Sequence, residues 1–174
     1  SLLLHAGCGG GQVDKKIITY ANIYAFDISK KALEMYSNNK YPNTKVIHGS
    51  ILNTEFGDKK FDGIYNLGVM EHFELNEISK ILREFSRILK DDGKIILFWP
   101  HKKGFIVNFI KIIKIIIQKL FKIKLKLHPD EITYVHSKQH ISEILKQNNL
   151  QLTYYYFGIM DLFTQSVIIA EKEK

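Results

Sequence analysis

The sequence has little cysteine: Cys8 is the only one among 174 residues, which excludes a disulfide framework and a zinc site built from several cysteines. It also lacks any run of 18 uncharged apolar residues, so we expect no ordinary membrane-spanning helix. The first residues lack the basic leader and long apolar stretch of a signal peptide. The lone thiol fits a reducing compartment, and we therefore expect a cytoplasmic protein.

What is present is typical of a folded domain. Hydrophobic residues make up 45% of the chain and charged residues 25%, which disfavours wholesale disorder. A length of 174 residues predicts one domain over residues 1–174. Because Leu2 opens a buried-strand pattern with nothing ahead of it, we expect the chain to begin inside that domain.

The net charge of +7 is concentrated in a basic insert at residues 101–128. Between His101 and His128 there are eight lysines and no acidic residue, while the rest of the chain is nearly balanced. Residues 105–122 carry a lysine or polar residue every three or four positions with apolar residues between, which predicts a basic amphipathic helix. Residues 123–127 alternate lysine with apolar residues and favour a short exposed extended segment.

Apolar runs of strand length alternate with helical patterns up to Pro100, which predicts βαβ units and a parallel sheet. Strands are predicted over residues 2–6, 23–27, 44–48, 61–66 and 94–99, and helices over residues 12–20, 30–38 and 77–89. Another helix is predicted to begin after Ser137, followed by strands over residues 150–157 and 163–170. Their short connection favours an antiparallel hairpin. The predicted fold is a Rossmann-like, doubly wound α/β fold with a mostly parallel, seven-stranded sheet and an antiparallel C-terminal hairpin.

A glycine-rich turn follows the first predicted strand. Gly7, Gly9 and Gly11 let the backbone pass close to a ligand and present amides to it. Asp27, at the end of the second predicted strand, can accept both hydroxyls of a ribose, so the two features together predict a cofactor site. In a nicotinamide-binding G-x-G-x-x-G turn the third glycine would fall at Gln12, which disfavours a nicotinamide-dependent oxidoreductase but keeps it as an alternative.

Four segments in the same order resemble the class I S-adenosylmethionine-dependent methyltransferases, particularly the small-molecule group that includes quinone-biosynthesis enzymes. They are residues 2–11, residues 25–29, residues 61–73 and residues 82–96. The terminal hairpin is similar to the antiparallel seventh strand of that family. The resemblance implies S-adenosylmethionine as cofactor, and we expect transfer of its methyl group to a small or lipid-linked acceptor at oxygen.

The resemblance also implies roles for individual residues. The glycine turn would lie against the methionine part and the ribose, Asp27 would hold the ribose hydroxyls, and Ser50 would face the adenine amino group. The residues expected to bind the cofactor are Gly7, Cys8, Gly9, Gly11, Asp27, Ile28, Ser50, Ile51, Asn66 and Leu67. No metal is expected.

Two positions depart from the family pattern. His5 stands where the family commonly has an acidic residue that helps to orient the amino group of the cofactor, and Ser50 replaces the usual Asp at the adenine. A histidine supplies no permanent negative charge. These departures keep open another hypothesis, a degenerate module that binds cofactor or membrane without turnover.

An oxygen acceptor must lose a proton, ideally to a base that titrates near neutrality. His72, just after the fourth predicted strand, is the candidate catalytic base, with Glu71 as its neighbour. The alternative is that both are solvated residues at a helix N-terminus.

The basic insert has three interpretations. Its apolar face could close over a hydrophobic acceptor while the lysines of residues 105–126 contact anionic lipid headgroups. Such contacts would place the protein at the membrane periphery. It could instead pack on its own domain, or form a homodimer contact. Nucleic acid is not an expected partner, because the tyrosine run at residues 154–156 has no interleaved Lys or Arg.

Overall fold

A seven-stranded sheet organises the computed structural model, which describes residues 1–104, 132–159 and 163–173. The strands are β1 (Leu2–Ala6), β2 (Asn22–Asp27), β3 (Thr44–His48), β4 (Phe61–Leu67), β5 (Leu89–Pro100), β6 (Leu150–Tyr156) and β7 (Gln165–Lys172). They lie in the order β3-β2-β1-β4-β5-β7-β6. Strands β1 to β5 pair in parallel, and β7 runs antiparallel between β5 and β6. The predicted fold class is confirmed.

Helices connect the parallel strands. They are α1 (Asp14–Ile17), α2 (Lys30–Asn38), a 3₁₀ helix (Met70–His72), α3 (Leu75–Ile88) and α4 (Lys138–Lys146). Helix α2 begins after Ser29, whose hydroxyl accepts the N–H of Ala32 at 3.3 Å, as expected for an N-cap. Over the described stretches of the chain, no helix is both long and apolar enough to cross a bilayer.

Helices pack on both faces of the sheet. Helix α3 buries an apolar stripe in the main core. The stripe consists of Ile78, Ile81, Leu82, Phe85 and Ile88. Helix α2 packs Leu33 and Tyr36 into a smaller cluster with Ala25. Because successive strand residues point to opposite faces, Ala25 and its neighbour Phe26 belong to different clusters, as a doubly wound fold requires.

Several predicted elements differ by one or two residues at their ends, and two differ by more. The helix predicted over residues 12–20 is only the four residues of α1, because the chain turns back early: the N–H of Tyr20 bonds to the carbonyl of Ile17, three residues before it. Strand β5 begins at Leu89 rather than at Lys94. Leu89 already pairs with Phe61, and the irregular pairing between Phe61 and Gly63 takes up residues 90–93, which precede the predicted strand.

The basic insert falls largely outside the described residues. The amphipathic helix predicted over residues 105–122 and the extended segment predicted over residues 123–127 both lie there, as do residues 160–162 of the hairpin connection. On either side, the described chain is anchored at the carboxyl ends of the parallel strands. The N–H groups of Ile132 and Thr133 both donate to the carbonyl of Glu71, at 2.6 and 3.2 Å.

Candidate active site

The glycine turn that follows β1 is held against the end of β2. The N–H groups of Gly7 and Cys8 both donate to the carbonyl of Phe26, at 2.8 and 3.1 Å. Gly7 has a φ of +77° and a β-carbon there would collide with Val69, so only glycine fits. At Gly9, with a φ of +51°, a β-carbon would meet nothing within 4 Å. The turn therefore passes open space at Gly9, where a ligand can approach the backbone.

The Asp27 carboxylate ends β2 beside this turn. One of its oxygens accepts the N–H of Gly9 at 2.9 Å, and the other accepts the N–H of Ser29 at 2.8 Å. An ionised carboxylate can accept about four hydrogen bonds, so two acceptor positions are left for a ligand. The two backbone bonds also hold the carboxylate in one orientation before any ligand binds.

A cleft of about 200 Å³ opens next to Asp27. Its walls are formed by Gly7, Asp27, Ile28, Gly49, Ser50, Ile51, Leu52, Val69 and Phe73. Ile28 is 69% exposed, which is unusual for an isoleucine and leaves an apolar surface at the rim. The structure thus brings Gly7, Asp27, Ile28, Ser50 and Ile51 of the predicted cofactor residues together in one cleft.

Other wall residues were not predicted to bind the cofactor. Gly49 follows β3, and a β-carbon at this position would come within 2.6 Å of the Phe26 ring, so the backbone can run this close to β2 only as glycine. Val69 and Phe73 flank the 3₁₀ helix and reach the cleft from the far side. The motif around residues 69–73 was visible in the sequence, but which of its side chains enter the cleft depends on how the chain turns after Gly68, whose φ is +67°.

Two predicted turn residues serve the packing around the turn. The Cys8 side chain is buried in the cluster with Leu33 and Tyr36. Burial, followed by the negative charges of Asp27 and Asp14, raises the pKa of the Cys8 thiol to about 12, so the thiol stays protonated at neutral pH. Gly11 has a φ of +74°, and a β-carbon there would collide with the ring of Tyr36.

The residues predicted at the end of β4 point in different directions. Asn66 is fully buried and its Nδ2 donates to the carbonyl of Ala6 at 2.9 Å, which ties β4 to the start of the glycine turn. Its Oδ1 has no partner among the described residues. The Leu67 side chain instead lines an apolar groove of about 660 Å³ on the sheet, shared with Leu3 and Phe98.

His5 takes part in a buried cluster that we call the Asp14 cluster: His5, Asp14, Tyr36 and Tyr65. The Asp14 carboxylate is fully buried and lies 2.9 Å from His5 Nδ1. It also accepts the hydroxyls of Tyr36 at 2.7 Å and Tyr65 at 2.6 Å. Burial alone would raise the pKa of the Asp14 carboxyl, but hydrogen bonds from His5, Tyr65 and Tyr36 hold it below its usual value. A carboxylate therefore lies beside His5, supplied by α1.

With this geometry in place, comparison with known proteins identifies the family. A family model described as a methyltransferase domain matches residues 4–97 of the chain. The chain belongs to this methyltransferase family. The match includes the glycine turn, Asp27 and β4, and it favours a methyltransferase domain over the nicotinamide-dependent oxidoreductase that the glycine spacing alone left open.

Known proteins similar to this methyltransferase domain include an archaeal protein and a solved structure. An uncharacterized protein of Methanocaldococcus jannaschii is 34% identical over 105 residues, which is 60% of this chain and 43% of that protein. The chain thus spans less than half of that relative. A crystal structure of an S-adenosylmethionine-dependent methyltransferase from Methanosarcina mazei is 16% identical with a TM-score of 0.78, covering 99% of this chain and 92% of the other.

A second solved structure also shares the fold. It is magnesium protoporphyrin IX methyltransferase from Synechocystis PCC 6803 with bound S-adenosylhomocysteine. It is 20% identical with a TM-score of 0.73, and the match covers 99% of this chain and 74% of the other. At these identities the two structures support the fold of the methyltransferase domain.

The candidate base His72 ends the 3₁₀ helix of the methyltransferase domain, directly before the cleft residue Phe73. Its ring is half-buried, and its Nδ1 has no partner among the described residues. The backbone N–H of His72 donates to the carbonyl of Val69, another cleft residue, at 3.1 Å. The 3₁₀ turn therefore places the His72 backbone beside the cleft, whereas its side chain is not among those that line the cleft.

His101 directly follows β5, and its surroundings differ from those of His72. It is 5% exposed, and its ring stacks on Phe157 with the ring centroids 3.9 Å apart. Its Nδ1 accepts the N–H of Lys103 at 3.0 Å, and burial, with the charges of Lys103 and His136, lowers its pKa. His101 is therefore a neutral, packed histidine whose accepting nitrogen is already used.

Proposed function

We propose that this methyltransferase domain binds S-adenosylmethionine in the cleft beside Asp27 and transfers its methyl group to a small or lipid-linked acceptor at oxygen. The observation that carries the proposal is the Asp27 carboxylate, which two backbone amides orient while two acceptor positions stay available. A ribose presents a pair of neighbouring hydroxyls, which matches those two positions in number and in donor character.

The walls of the cleft support an adenosine ligand. Ile28, Ile51 and Phe73 offer apolar surface for a flat base, while the glycine backbone at Gly9 leaves room for the ribose and the chain attached to it. The Ser50 hydroxyl accepts the N–H of Leu52 at 3.3 Å, and its second lone pair can accept a hydrogen bond from the adenine amino group. Ser50 therefore takes the adenine-facing role with an accepting hydroxyl in place of a carboxylate.

When bound, S-adenosylmethionine supplies a methyl group on a positively charged sulfur, an excellent leaving group. Displacement at such a methyl depends chiefly on holding the acceptor in line, so the protein contributes mainly by positioning. Asn66 lies next to the carboxyl end of β4, and Val69 lines the cleft, so both would border the methionine part of the cofactor. His72, on the turn that carries Val69 and Phe73, would take the proton from an acceptor hydroxyl.

The lysine-rich insert supports a lipid-linked or otherwise anionic acceptor. Eight lysines without an acidic residue between His101 and His128 would hold phosphate or anionic headgroups near the carboxyl ends of the strands. Both described ends of this segment lie at that edge, where Gly104 approaches the backbone of Thr164 and where Ile132 bonds to Glu71.

Calorimetric titration of the full chain with S-adenosylmethionine and S-adenosylhomocysteine tests the cofactor assignment. We expect binding by the wild type and a loss of at least about tenfold in affinity for Asp27→Ala, because a charge-assisted acceptor is removed. Asp91→Ala is the matched control, since Asp91 is an exposed carboxylate near the start of β5 that pairs with Lys59 and Lys172. No binding by a folded wild type, or equal binding by Asp27→Ala and wild type, would overturn the proposal.

A further inference from the structure

The Asp14 cluster joins four elements of the fold beneath the glycine turn. His5 and Tyr65 are register partners on the neighbouring strands β1 and β4, Tyr36 comes from α2, and Asp14 begins α1. A buried carboxylate is costly unless its oxygens are hydrogen-bonded, and here hydroxyl groups bond to both of them. The cluster is therefore a strong local constraint, and its members are held in fixed relative positions.

The two tyrosines of the cluster make equivalent bonds but touch different parts of the protein. The Tyr36 hydroxyl bonds to one oxygen of Asp14 and the Tyr65 hydroxyl to the other, and both side chains are buried. The Tyr36 ring packs directly against Gly11 of the turn. The Tyr65 ring instead stacks on His5, with the ring centroids 4.4 Å apart.

Gly11 is the point at which the cluster meets the turn. Its N–H donates to the carbonyl of Cys8, and its carbonyl accepts the N–H of Asp14, both at 3.0 Å. The backbone N–H of Asp14 thus bonds to Gly11. The Asp14 side chain accepts the hydroxyl of Tyr36, whose ring packs on Gly11. A shift of the Tyr36 ring would remove the support of Gly11 and change the path of the turn back to Gly9.

We propose that Tyr36, held by Asp14, is a positioning residue for cofactor binding: its ring sets the position of Gly11 and, through the turn, that of the Gly9 backbone beside Asp27. Tyr36 contacts no ligand in this role and acts only through the turn. The inference rests on the proposed function, because its ligand is the one assigned to the cleft. Tyr65 supports the same carboxylate without this effect on the turn.

Tyr36→Phe and Tyr65→Phe form a matched pair that tests the proposal on the full chain. Each variant keeps its aromatic ring and loses one hydroxyl bond to the same carboxylate, so we expect similar losses of thermal stability. Titration with S-adenosylhomocysteine should show affinity lowered about fivefold to tenfold in Tyr36→Phe and by less than about twofold in Tyr65→Phe. Equal losses of affinity in two variants of equal stability would overturn the inference.

Hydrogen exchange without ligand separates this inference from the proposed function. We expect faster exchange at the amides of Gly11 and Asp14 in Tyr36→Phe than in Tyr65→Phe, because only the former loosens the support of the turn. Equal exchange in the two variants contradicts the positioning role, whether or not a ligand binds. Failure of the wild type to bind S-adenosylhomocysteine overturns the proposed function. If the wild type binds and the two variants lose equal affinity, only this inference is overturned.

Discussion

Asp27 Oδ2 accepts the backbone N–H of Gly9 at 2.9 Å, which ties the end of β2 to the middle of the glycine turn. The same turn is supported from the other side by Tyr36, which packs on Gly11. The turn is thus fixed at two points, one beside the cleft and one in the interior. Substitutions at Gly9 and Gly11 should therefore have different consequences.

We expect Gly9→Ala to fold and to lose cofactor binding. Its φ of +51° costs an alanine about 1–2 kcal/mol, and the new β-carbon enters the open space that the ligand would occupy. Gly11→Ala should be more destabilised, because the same backbone cost is joined by a collision with Tyr36. Chemical denaturation and titration with S-adenosylhomocysteine measure the two effects.

Gly57→Ala is the control for this pair, since a β-carbon there meets nothing within 4 Å and Gly57 does not have a positive φ. It should change neither stability nor affinity appreciably. Unchanged affinity in Gly9→Ala would show that the ligand does not pass close to the turn at this residue.

Replacement of Asp14 should be among the most destabilising single changes in the domain. Asp14→Ala leaves His5 and two tyrosine hydroxyls facing a cavity without their acceptor, and the loss of a buried charge partner costs about 3–5 kcal/mol. Asp14→Asn keeps the volume and one acceptor oxygen, so it should cost less. The free energy of unfolding, measured by urea titration, provides the comparison, and equal stability of Asp14→Ala and wild type would refute the importance of the cluster.

The domain should lose stability in acid, and protonation of Asp14 should contribute to that loss. The pKa of its carboxyl is lowered in the folded state from an ordinary value of 3.8, so its contribution is present above that value and is lost as the pH falls through the folded-state pKa. Asp62, Glu84 and Asp91 also have lowered pKa values and contribute in the same direction. The free energy of unfolding should therefore fall less steeply in acid for Asp14→Asn than for the wild type. It should still fall, because the other three carboxyls remain.

His72→Gln should lower turnover without lowering cofactor affinity. Removal of a general base typically costs about 10²–10⁴-fold in rate, while binding through Asp27 and the turn is untouched. The measurement is release of S-adenosylhomocysteine across a panel of hydroxylated acceptors, together with calorimetric titration. His136→Gln is the control because His136 is exposed on the stretch before α4, and equal turnover in both variants would remove His72 as the base.

The basic insert predicts selective binding to anionic membranes. Replacement of Lys111, Lys114, Lys119 and Lys122 by glutamine removes four of its eight positive charges. We expect the wild type to sediment with vesicles that contain anionic lipid, and the variant to do so less, since each lysine near such a surface contributes about 1 kcal/mol. Equal, negligible pelleting with anionic and neutral vesicles would exclude this membrane role.

Much of the candidate site follows from local sequence. The glycine turn comes directly after an apolar strand, and Asp27 ends the next one, so parallel pairing of β1 with β2 brings them to the same edge of the sheet. The family resemblance adds Ile28, Ser50 and Ile51, and all three line the cleft. These residues could be predicted because short spacings and strand ends set their positions.

The sequence by itself determined the alternation of strands and helices, the C-terminal hairpin and the meeting of the glycine turn with Asp27. Tertiary structure alone decided that Asp14 lies beneath the turn, since its partners Tyr36 and Tyr65 come from elements 22 and 51 residues away. It also decided that Leu67 faces the apolar groove while Val69 enters the cleft, through the bend at Gly68. The physical reason is that buried hydrogen bonds and side-chain directions depend on contacts between distant segments, which local pattern does not encode.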